Sequence, residues 1–257
     1  RTKISFELAQ KRLSADTVNF SASSSSLKKG ESFKDTVQNI EAMKIDAVVM
    51  RHPTPGAAKH LTNYIESIVI NAGDGTHEHP TQAILDMMSL HEKFGKLKNL
   101  KIGIVGDICH SRVALSNIYG LITMGAKVTI CGPPNLIPPN AKDLGVKVNN
   151  KLDEVIEWAD ALNILRIQKE RMGRTLIPSI REYRAEFGIT SERIIKQKKE
   201  IVIMHPGPMN RGVEIDSSIA DSDQAIILNQ VLNGVASRMA VLYLLCGGIS
   251  SNAVEEA

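Results

Sequence analysis

Apolar positions along the chain recur with two different periods, and this alternation predicts strands and helices in turn. Short apolar runs at residues 46–50, 68–70, 100–107, 126–131, 161–165 and 201–204 are typical of buried strands. Between them, apolar residues recur at helical spacing, as in Ile84, Leu85 and Met88 and in the long run over residues 231–245. This order of elements predicts an α/β protein built on parallel sheets.

Weaker patterns complete the prediction. Residues 17–20 and 146–148 favour short strands, and residues 172–191 favour an irregular or weakly helical stretch. The serine tract at residues 21–26 is typical of a flexible polar loop. We expect an amphipathic helix at the N-terminus, with Ile4, Phe6, Leu8 and Leu13 as its apolar positions.

A polar break at residues 96–99 separates two sets of alternating strands and helices. We therefore expect two parallel-sheet α/β domains with the active site in the cleft between them, because such sheets bind ligands at the carboxyl ends of their strands. We place the first domain at residues 1–93, completed by a C-terminal helix over residues 232–257. The second domain is placed at residues 94–231.

Composition narrows the class of protein without identifying it. A net charge of +3, from 31 basic and 28 acidic residues, is too balanced to indicate nucleic-acid binding. The three cysteines form no CxxC pair and are odd in number, so we expect a reducing, cytoplasmic compartment. There is no apolar run of ~18 to 20 residues and no charged leader, so we expect no membrane association.

Residues 71–86 combine a strand end, a glycine-rich turn and a helix start. Pro80 suits the first helical turn, where its missing N–H leaves no bond unmade. His79 and Gln82 are three residues apart, so we expect them to project from the same face. Backbone N–H groups at a helix start favour an anionic ligand, and the stretch therefore predicts a substrate site.

Other interpretations of these glycines and histidines stay open at this point. His79 could simply cap the helix. His77 and His79 could hold a metal, although no further cluster has ligand spacing. Gly103 and Gly106 follow a strand as in dinucleotide-binding proteins, but no G-x-G-x-x-G motif follows.

Arg51, Arg112 and Arg166 stand at strand ends or helix starts. Each alone could form a surface ion pair. Together they predict a ligand with several negative charges, because guanidinium groups pair bidentately with phosphate and carboxylate. A Pro-Gly-Pro turn follows the last strand, and its Gly207–Pro208 peptide is a candidate for the cis form.

These motifs, in this order, match one known family. The matching segments are Arg1-Thr2, Ser25 with Lys29-Gly30-Glu31, Arg51-His52-Pro53, residues 71–82, Gly106-Asp107 with Ser111-Arg112, residues 166–171 and His205-Pro206-Gly207-Pro208. Over nearly its whole length the chain resembles the bacterial aspartate carbamoyltransferase catalytic chains. Members of that family carry a preceding helix and strand and a Ser-Thr pair before Arg1-Thr2, so we expect the sequence to lack an N-terminal segment.

The resemblance implies the aspartate/ornithine carbamoyltransferase fold and a carbamoyl transfer from carbamoyl phosphate to L-aspartate, without cofactor or metal. Ornithine enzymes carry a His-Cys-Leu-Pro segment and a Ser-Met-Gly loop. This chain has His205-Pro206-Gly207-Pro208 and Arg166-x-Gln168 instead, and arginine favours a second carboxylate on the acceptor. The alternatives are a carbamoyltransferase for another amino acid, a non-catalytic anion-binding homologue and a nicotinamide-dependent oxidoreductase.

The resemblance also implies roles for individual residues and partners. Carbamoyl phosphate would be held by Arg1, Thr2, Ser25, Lys29, Arg51, His79 and Gln82, of which Thr2, Arg51, His79 and Gln82 would be catalytic. Aspartate would be held by Lys29, Arg112, Arg166, Gln168, Gly207 and Pro208. Gln82 and the backbone of residues 206–208 would also hold the carbamoyl NH2 group. Ser25 and Lys29 would reach a neighbouring subunit, which implies a homotrimer with shared active sites. A regulatory chain or a dihydroorotase is a candidate further partner, and no nucleic acid or membrane is expected.

Overall fold

The computed structural model of the chain describes residues 1–20, 32–167, 177, 179–197 and 199–247. The chain divides into two compact units, Arg1–Thr81 with Gly234–Ala257, and Gln82–Asn233. Each unit contains one parallel sheet with helices packed against it. The predicted α/β class with two parallel sheets is therefore confirmed.

Strands and helices alternate along most of the chain. The first half contains α1 (Thr2–Arg12), α2 (Phe33–Glu41), β1 (Ala47–His52), α3 (Ala57–Leu61), β2 (Ile68–Asp74) and α4 (Pro80–Phe94). Next come β3 (Lys101–Val105), α5 (Arg112–Thr123), β4 (Lys127–Cys131), β5 (Lys147–Val148), α6 (Leu152–Trp158) and β6 (Ala161–Ile164). The remaining elements are α7 (Ile180–Phe187), α8 (Ser191–Ile195), β7 (Val202–Met204), α9 (Ser217–Ala220) and α10 (Ile227–Leu245). Two 3-10 turns, Pro134–Leu136 and Ala141–Leu144, precede β5.

In the first unit, β1 and β2 form a parallel pair with helices on both faces. Alternate residues face opposite sides, so Ile70 and Ala72 pack with Phe6 of α1. On the other face, Met50 packs with Leu61 of α3, which is fully buried. The sheet is thus covered on both faces, as parallel sheets require.

In the second unit, five parallel strands have the order β5-β4-β3-β6-β7. The chain builds outward from β3 to β5 and then returns to place β6 on the other side of β3. Such a reversal separates the loops after the two neighbouring strands and leaves space at their carboxyl ends. The loops in question follow Val105 and Ile164, which are paired across the sheet.

One prediction about the N-terminal region was wrong, and the other, the amphipathic helix, is confirmed as α1 but buries only part of its apolar residues. Residues 17–20 form no strand, and Val18 is 93% exposed, because alternation alone does not supply a pairing partner. In α1 only part of the predicted apolar face is buried. Phe6 lies in the core, whereas Ile4 is 61% and Leu8 is 42% exposed, since these two belong to a second stripe on the opposite side.

The stretch over residues 172–191 was predicted as irregular or weakly helical, and its described part contains α7. Ser179 caps this helix, because its side chain accepts a hydrogen bond from the backbone N–H of Glu182. Tyr183 and Phe187, four residues apart, bury one side of the helix. Only two large apolar residues make this face, so periodicity was a weak signal, although the Ser-x-x-Glu cap was readable.

The apolar run over residues 231–245 lies in a long helix, α10, as predicted, but only part of the run is buried. Val235 and Leu242 are buried, but Val231 is 58%, Leu232 is 64% and Leu245 is 50% exposed. The helix is apolar on more than one side, so its sequence does not reveal which side packs inward.

Candidate active site

The carboxyl end of β1 brings two predicted phosphate ligands together. The Arg51 guanidinium donates a hydrogen bond to Thr2 Oγ1 at 2.8 Å, although the two residues are 49 positions apart. The β1–β2 register shifts between Met50 and His52, so Arg51 lies at an irregularity of the ladder. Thr2 begins α1, with Arg1 as its N-cap residue, so a guanidinium and a helix start share this point.

Asp74 at the end of β2 organises the turn that leads to α4. Its buried carboxylate accepts hydrogen bonds from Asn71 Nδ2 at 3.0 Å, the Gly56 N–H at 2.6 Å and the Glu78 N–H at 3.0 Å. His77 Nδ1 lies 3.1 Å away. Burial alone would raise the pKa of Asp74, but these donors outweigh it and lower the pKa below 3.8.

Gly75 allows the β1 and β2 ends to approach each other closely. It has a φ of +49°, and a Cβ there would lie 2.6 Å from a side-chain atom of Pro55 and 2.8 Å from the Pro53 carbonyl oxygen. Its N–H donates to the His52 carbonyl at 2.9 Å. The glycine is therefore required both by conformation and by space.

His79 is 4% exposed and directly precedes α4, which begins at Pro80 as predicted. Thr81 Oγ1 lies 3.5 Å from His79 Nδ1, at the limit of hydrogen-bonding distance. When Thr81 donates this bond, a neutral imidazole carries its proton on Nε2.

In the second unit, the loops after β3 and β6 hold the other two predicted arginines. Arg166 follows β6, and Arg112 is the first residue of α5, which Ser111 caps through a 3.2 Å bond from the Ala114 N–H. Between β3 and α5 lies the fully buried Asp107. Its Oδ1 accepts from the His110 backbone N–H at 3.1 Å and lies 2.8 Å from His110 Nδ1.

Gln82 contacts Asp86, one turn later on α4. The fully buried Asp86 carboxylate accepts from Gln82 Nε2 at 2.9 Å, Gln230 Nε2 at 2.7 Å, Asn117 Nδ2 at 2.8 Å and Asn163 Nδ2 at 3.5 Å. Burial raises the pKa of Asp86 to about 6, against the opposing effect of the four amides. The group is therefore mainly a carboxylate at neutral pH.

The turn after β7 contains the predicted cis peptide, Gly207–Pro208. The Gly207 N–H donates to His205 Nδ1 at 2.8 Å, so a neutral His205 carries its proton on Nε2. That nitrogen lies 3.4 Å from Oε1 of the fully buried Glu214, which also accepts from the Asn210 N–H. The His205 N–H donates to Gln230 Oε1 at 2.9 Å.

The structure places Thr2 with Arg51 in the first unit, and Gln82 and the Gly207–Pro208 turn in one hydrogen-bond network in the second. Ser25, Lys29 and Gln168 lie outside the described residues. The sequence reasoning missed the buried acids Asp74, Asp86, Asp107 and Glu214. Each of these acids lies within or shortly after a motif of the predicted site. That position in the sequence was the signal that could have identified them.

Comparison with known families decides the affiliation. The family model described as "Aspartate/ornithine carbamoyltransferase, carbamoyl-P binding domain" matches residues 1–92. The model described as "Aspartate/ornithine carbamoyltransferase, Asp/Orn binding domain" matches residues 98–245. The chain belongs to the aspartate/ornithine carbamoyltransferase family. The predicted resemblance is thereby confirmed.

Individual members of the family are similar over most of the chain. The aspartate carbamoyltransferase catalytic subunit of Gemmatimonas aurantiaca is 59% identical over 248 residues, which are 96% of this chain and 78% of that protein. Aspartate transcarbamoylase from Trypanosoma cruzi in complex with carbamoyl phosphate superposes with a TM-score of 0.85 at 30% identity, covering 95% of this chain and 79% of that one. The same enzyme with aspartate and phosphate gives a TM-score of 0.82 at 31% identity, with 95% and 78% coverage.

The described ranges contain neither a membrane-spanning helix nor a metal-binding cluster. Within them, no helix combines the length and apolarity needed to cross a bilayer. No group of three or more His, Cys, Asp or Glu side chains is arranged to hold a metal ion in that part of the chain. His77, weighed as one of a metal pair, lies beside Asp74 in the turn instead.

Asp74→Asn is expected to lower the free energy of unfolding at pH 7 by about 1 to 3 kcal/mol, because an amide leaves buried donors without an acceptor. Since the folded pKa is lowered, the stabilisation is present above the unfolded value of 3.8 and is lost as the pH falls through the folded value. Urea unfolding of both proteins at several pH values should show the difference shrinking below about pH 4.

The matched control is Asp143→Asn, which changes an exposed carboxylate of the 3-10 turn Ala141–Leu144. It should unfold like the wild type at every pH. An Asp74→Asn protein as stable as wild type at pH 7 would contradict the role assigned to this carboxylate.

Proposed function

We propose that this chain transfers the carbamoyl group of carbamoyl phosphate to the amino group of L-aspartate, giving N-carbamoyl-L-aspartate and phosphate. This is the committed step of de novo pyrimidine biosynthesis. The observation that carries the proposal is the 59% identity, over 96% of the chain, to an aspartate carbamoyltransferase catalytic subunit. The similar Trypanosoma cruzi enzyme has been solved with carbamoyl phosphate and with aspartate and phosphate, which supports the same substrates here.

We assign carbamoyl phosphate to the domain predicted at residues 1–93 with 232–257. The description of the family model over residues 1–92 supports this assignment. Arg1, Thr2 and Arg51 hold the phosphate, since Arg51 and Thr2 are already joined at 2.8 Å beside the start of α1. A helix start and a guanidinium both stabilise an anion, and charge-assisted hydrogen bonds are about twice as strong as neutral ones.

His79 is assigned to the carbamoyl oxygen. With its proton on Nε2, the buried imidazole donates to that oxygen, and Thr2 and Arg51 assist. Negative charge develops there as the amine attacks, and donors fixed in advance stabilise it without reorganising. Gln82 and the backbone of the turn at Gly207 and Pro208 hold the carbamoyl NH2 group.

Aspartate is assigned to the domain predicted at residues 94–231, where Arg112 and Arg166 follow neighbouring strands of one sheet. Their guanidinium groups bind the two carboxylates, with Gln168 and Lys29, and bring the α-amino group within reach of the carbamoyl carbon. The new C–N bond forms as the C–O bond to phosphate breaks. The departing phosphate accepts the amine proton.

We place the enzyme in the cytoplasm as a homotrimer whose active sites are shared. The three cysteines are free, which suits a reducing compartment. Ser25 and Lys29 reach the site of the adjacent subunit, so no subunit is complete alone. A regulatory chain and a dihydroorotase are the two candidate partners whose binding to the trimer should be tested.

The purified chain should form N-carbamoyl-L-aspartate and phosphate from carbamoyl phosphate and L-aspartate, measured by product chromatography and phosphate release. L-Ornithine is the control acceptor and should give little product, because Arg112 and Arg166 repel its ammonium group. Preference for ornithine would identify another carbamoyltransferase. Binding of inorganic phosphate without any product would indicate a non-catalytic homologue.

Arg166→Ala should raise the KM for aspartate roughly tenfold to hundredfold and leave the KM for carbamoyl phosphate nearly unchanged. Arg51→Ala should do the reverse, because the two arginines hold different substrates. Steady-state kinetics with each substrate varied in turn measures both effects. Equal shifts of the same KM in both variants would contradict this division.

Lys29→Ala and His79→Ala should each be nearly inactive, yet a mixture that exchanges subunits should regain activity. In a closed trimer each site takes His79 from one chain and Lys29 from the next, so about one quarter of randomly assembled sites are intact. Native mass spectrometry confirms the mixed trimers. A mixture no more active than its parents would mean that Lys29 does not serve a neighbouring site.

A further inference from the structure

The buried carboxylate of Asp86 accepts hydrogen bonds from four amide groups. Gln82 Nε2 and Gln230 Nε2 donate to Oδ1, and Asn117 Nδ2 and Asn163 Nδ2 donate to Oδ2. These amides come from α4, α10, α5 and β6, and none of them titrates or carries a charge. A carboxylate can only accept hydrogen bonds, so each amide must turn its NH2 group towards it and its oxygen away.

Two observations in the same cluster agree with this orientation. Gln230 Oε1, turned away from Asp86, accepts the His205 backbone N–H, a group that can only donate. Asn117 Oδ1 and Asn163 Oδ1 are buried without a hydrogen-bond partner among the described residues. Both oxygens stay unsatisfied so that both NH2 groups can face the carboxylate.

Gln82 is therefore held with its Oε1 turned away from Asp86, where this oxygen can accept a hydrogen bond from a ligand. Its Nε2 is held by Asp86 at 2.9 Å, and its Oε1 receives no hydrogen bond from the part of the chain that the structure describes. An N–H group on the ligand matches that oxygen. A methyl group in the same place leaves it unsatisfied.

The Pro-Gly-Pro segment of the turn after β7 has no backbone N–H group left to donate to a ligand. Pro206 and Pro208 have no N–H, and the Gly207 N–H is used by His205 Nδ1. The carbonyl groups remain as the polar backbone atoms that the Pro-Gly-Pro segment offers. This turn is connected to the cluster through Gln230, which bridges Asp86 and the His205 N–H.

We propose that Asp86 is a positioning residue that makes the enzyme select a carbamoyl donor over an acyl phosphate of the same shape. It holds Gln82 directly and the turn after β7 through Gln230, and so arranges two acceptors, Gln82 Oε1 and a carbonyl oxygen of the turn, for the two N–H groups of the carbamoyl nitrogen. The inference rests on the proposed carbamoyl transfer, because it names how the donor of that reaction is recognised. A site built to hydrogen-bond an N–H rejects an analogue that lacks it more strongly than an apolar pocket can.

The test compares carbamoyl phosphate with acetyl phosphate, in which CH3 replaces NH2. In Asp86→Ala the Gln82 amide is released and can turn its NH2 group towards the donor. The ratio of kcat/KM for carbamoyl phosphate to kcat/KM for acetyl phosphate should fall roughly tenfold to hundredfold. Inhibition by inorganic phosphate should be unchanged, because Arg51 and Thr2 are intact.

Asn163→Ala is the matched control. It removes a buried amide from the same carboxylate, but on the Oδ2 side, so Gln82 and Gln230 keep their acceptor. The ratio should stay at the wild-type value even if the melting temperature falls. If Asp86 has a purely structural role, each variant should change kcat/KM for carbamoyl phosphate and for acetyl phosphate by the same factor. An unchanged ratio in a folded Asp86→Ala protein therefore overturns the proposal.

A double variant, Gln82→Glu with Asp86→Asn, keeps one carboxylate in the cluster and moves it to position 82. Both oxygens of a glutamate accept, so this side chain offers the carbamoyl nitrogen an acceptor in either orientation. The ratio should recover most of the way to wild type. A ratio that stays low in this folded protein counts against the proposal.

Failure of the inference is distinct from failure of the proposed function. If the wild-type chain forms no carbamoyl aspartate, carbamoyl transfer itself is excluded. If the wild-type chain does form it and the donor ratio does not respond to the Asp86→Ala substitution, the function stands and the positioning role of Asp86 is rejected.

Discussion

A parallel strand that is buried on both faces can place polar, ligand-binding residues only beyond its ends. The central strand β3 imposes this constraint on the second unit. Ile104 and Val105 point to opposite faces of the sheet and both are fully buried, so no ligand can approach the strand from either face. The chain reverses its direction of growth across the sheet at β3, and the loops that carry Arg112 and Arg166 diverge at that point. The positions of Arg112 and Arg166, to which we assign the aspartate carboxylates, follow from this topology.

The buried strands were predictable because their apolar runs are short and continuous, as in residues 126–131 and 201–204. Their ends were less predictable, and β2 extends to Asp74, beyond the apolar run that marked it. The sequence also indicated Arg51 and His79 as candidate site residues. It could not pair Arg51 with Thr2, because tertiary packing brings together residues that lie 49 positions apart.

Buried acids were the residues that sequence reasoning overlooked at a site expected to bind anions. Asp74 and Asp86 are both buried. They collect N–H donors from the surrounding loops and helices, and each donor then has a fixed direction. One carboxylate can accept several hydrogen bonds, so a single buried acid can order the backbone N–H groups of a loop. Arginine cannot do this, because it has only donors. Glu214 does the same for the turn after β7.

The Asp86 cluster also bears on how the chain reaches a unique fold. Its donors lie 4, 31, 77 and 144 positions away in the sequence. The last of these contacts joins α10 to α4 across a long stretch of sequence. A compact arrangement with the wrong helix register would bury this charge without its donors, which is strongly unfavourable. The cluster therefore favours the native register of α10 over compact alternatives.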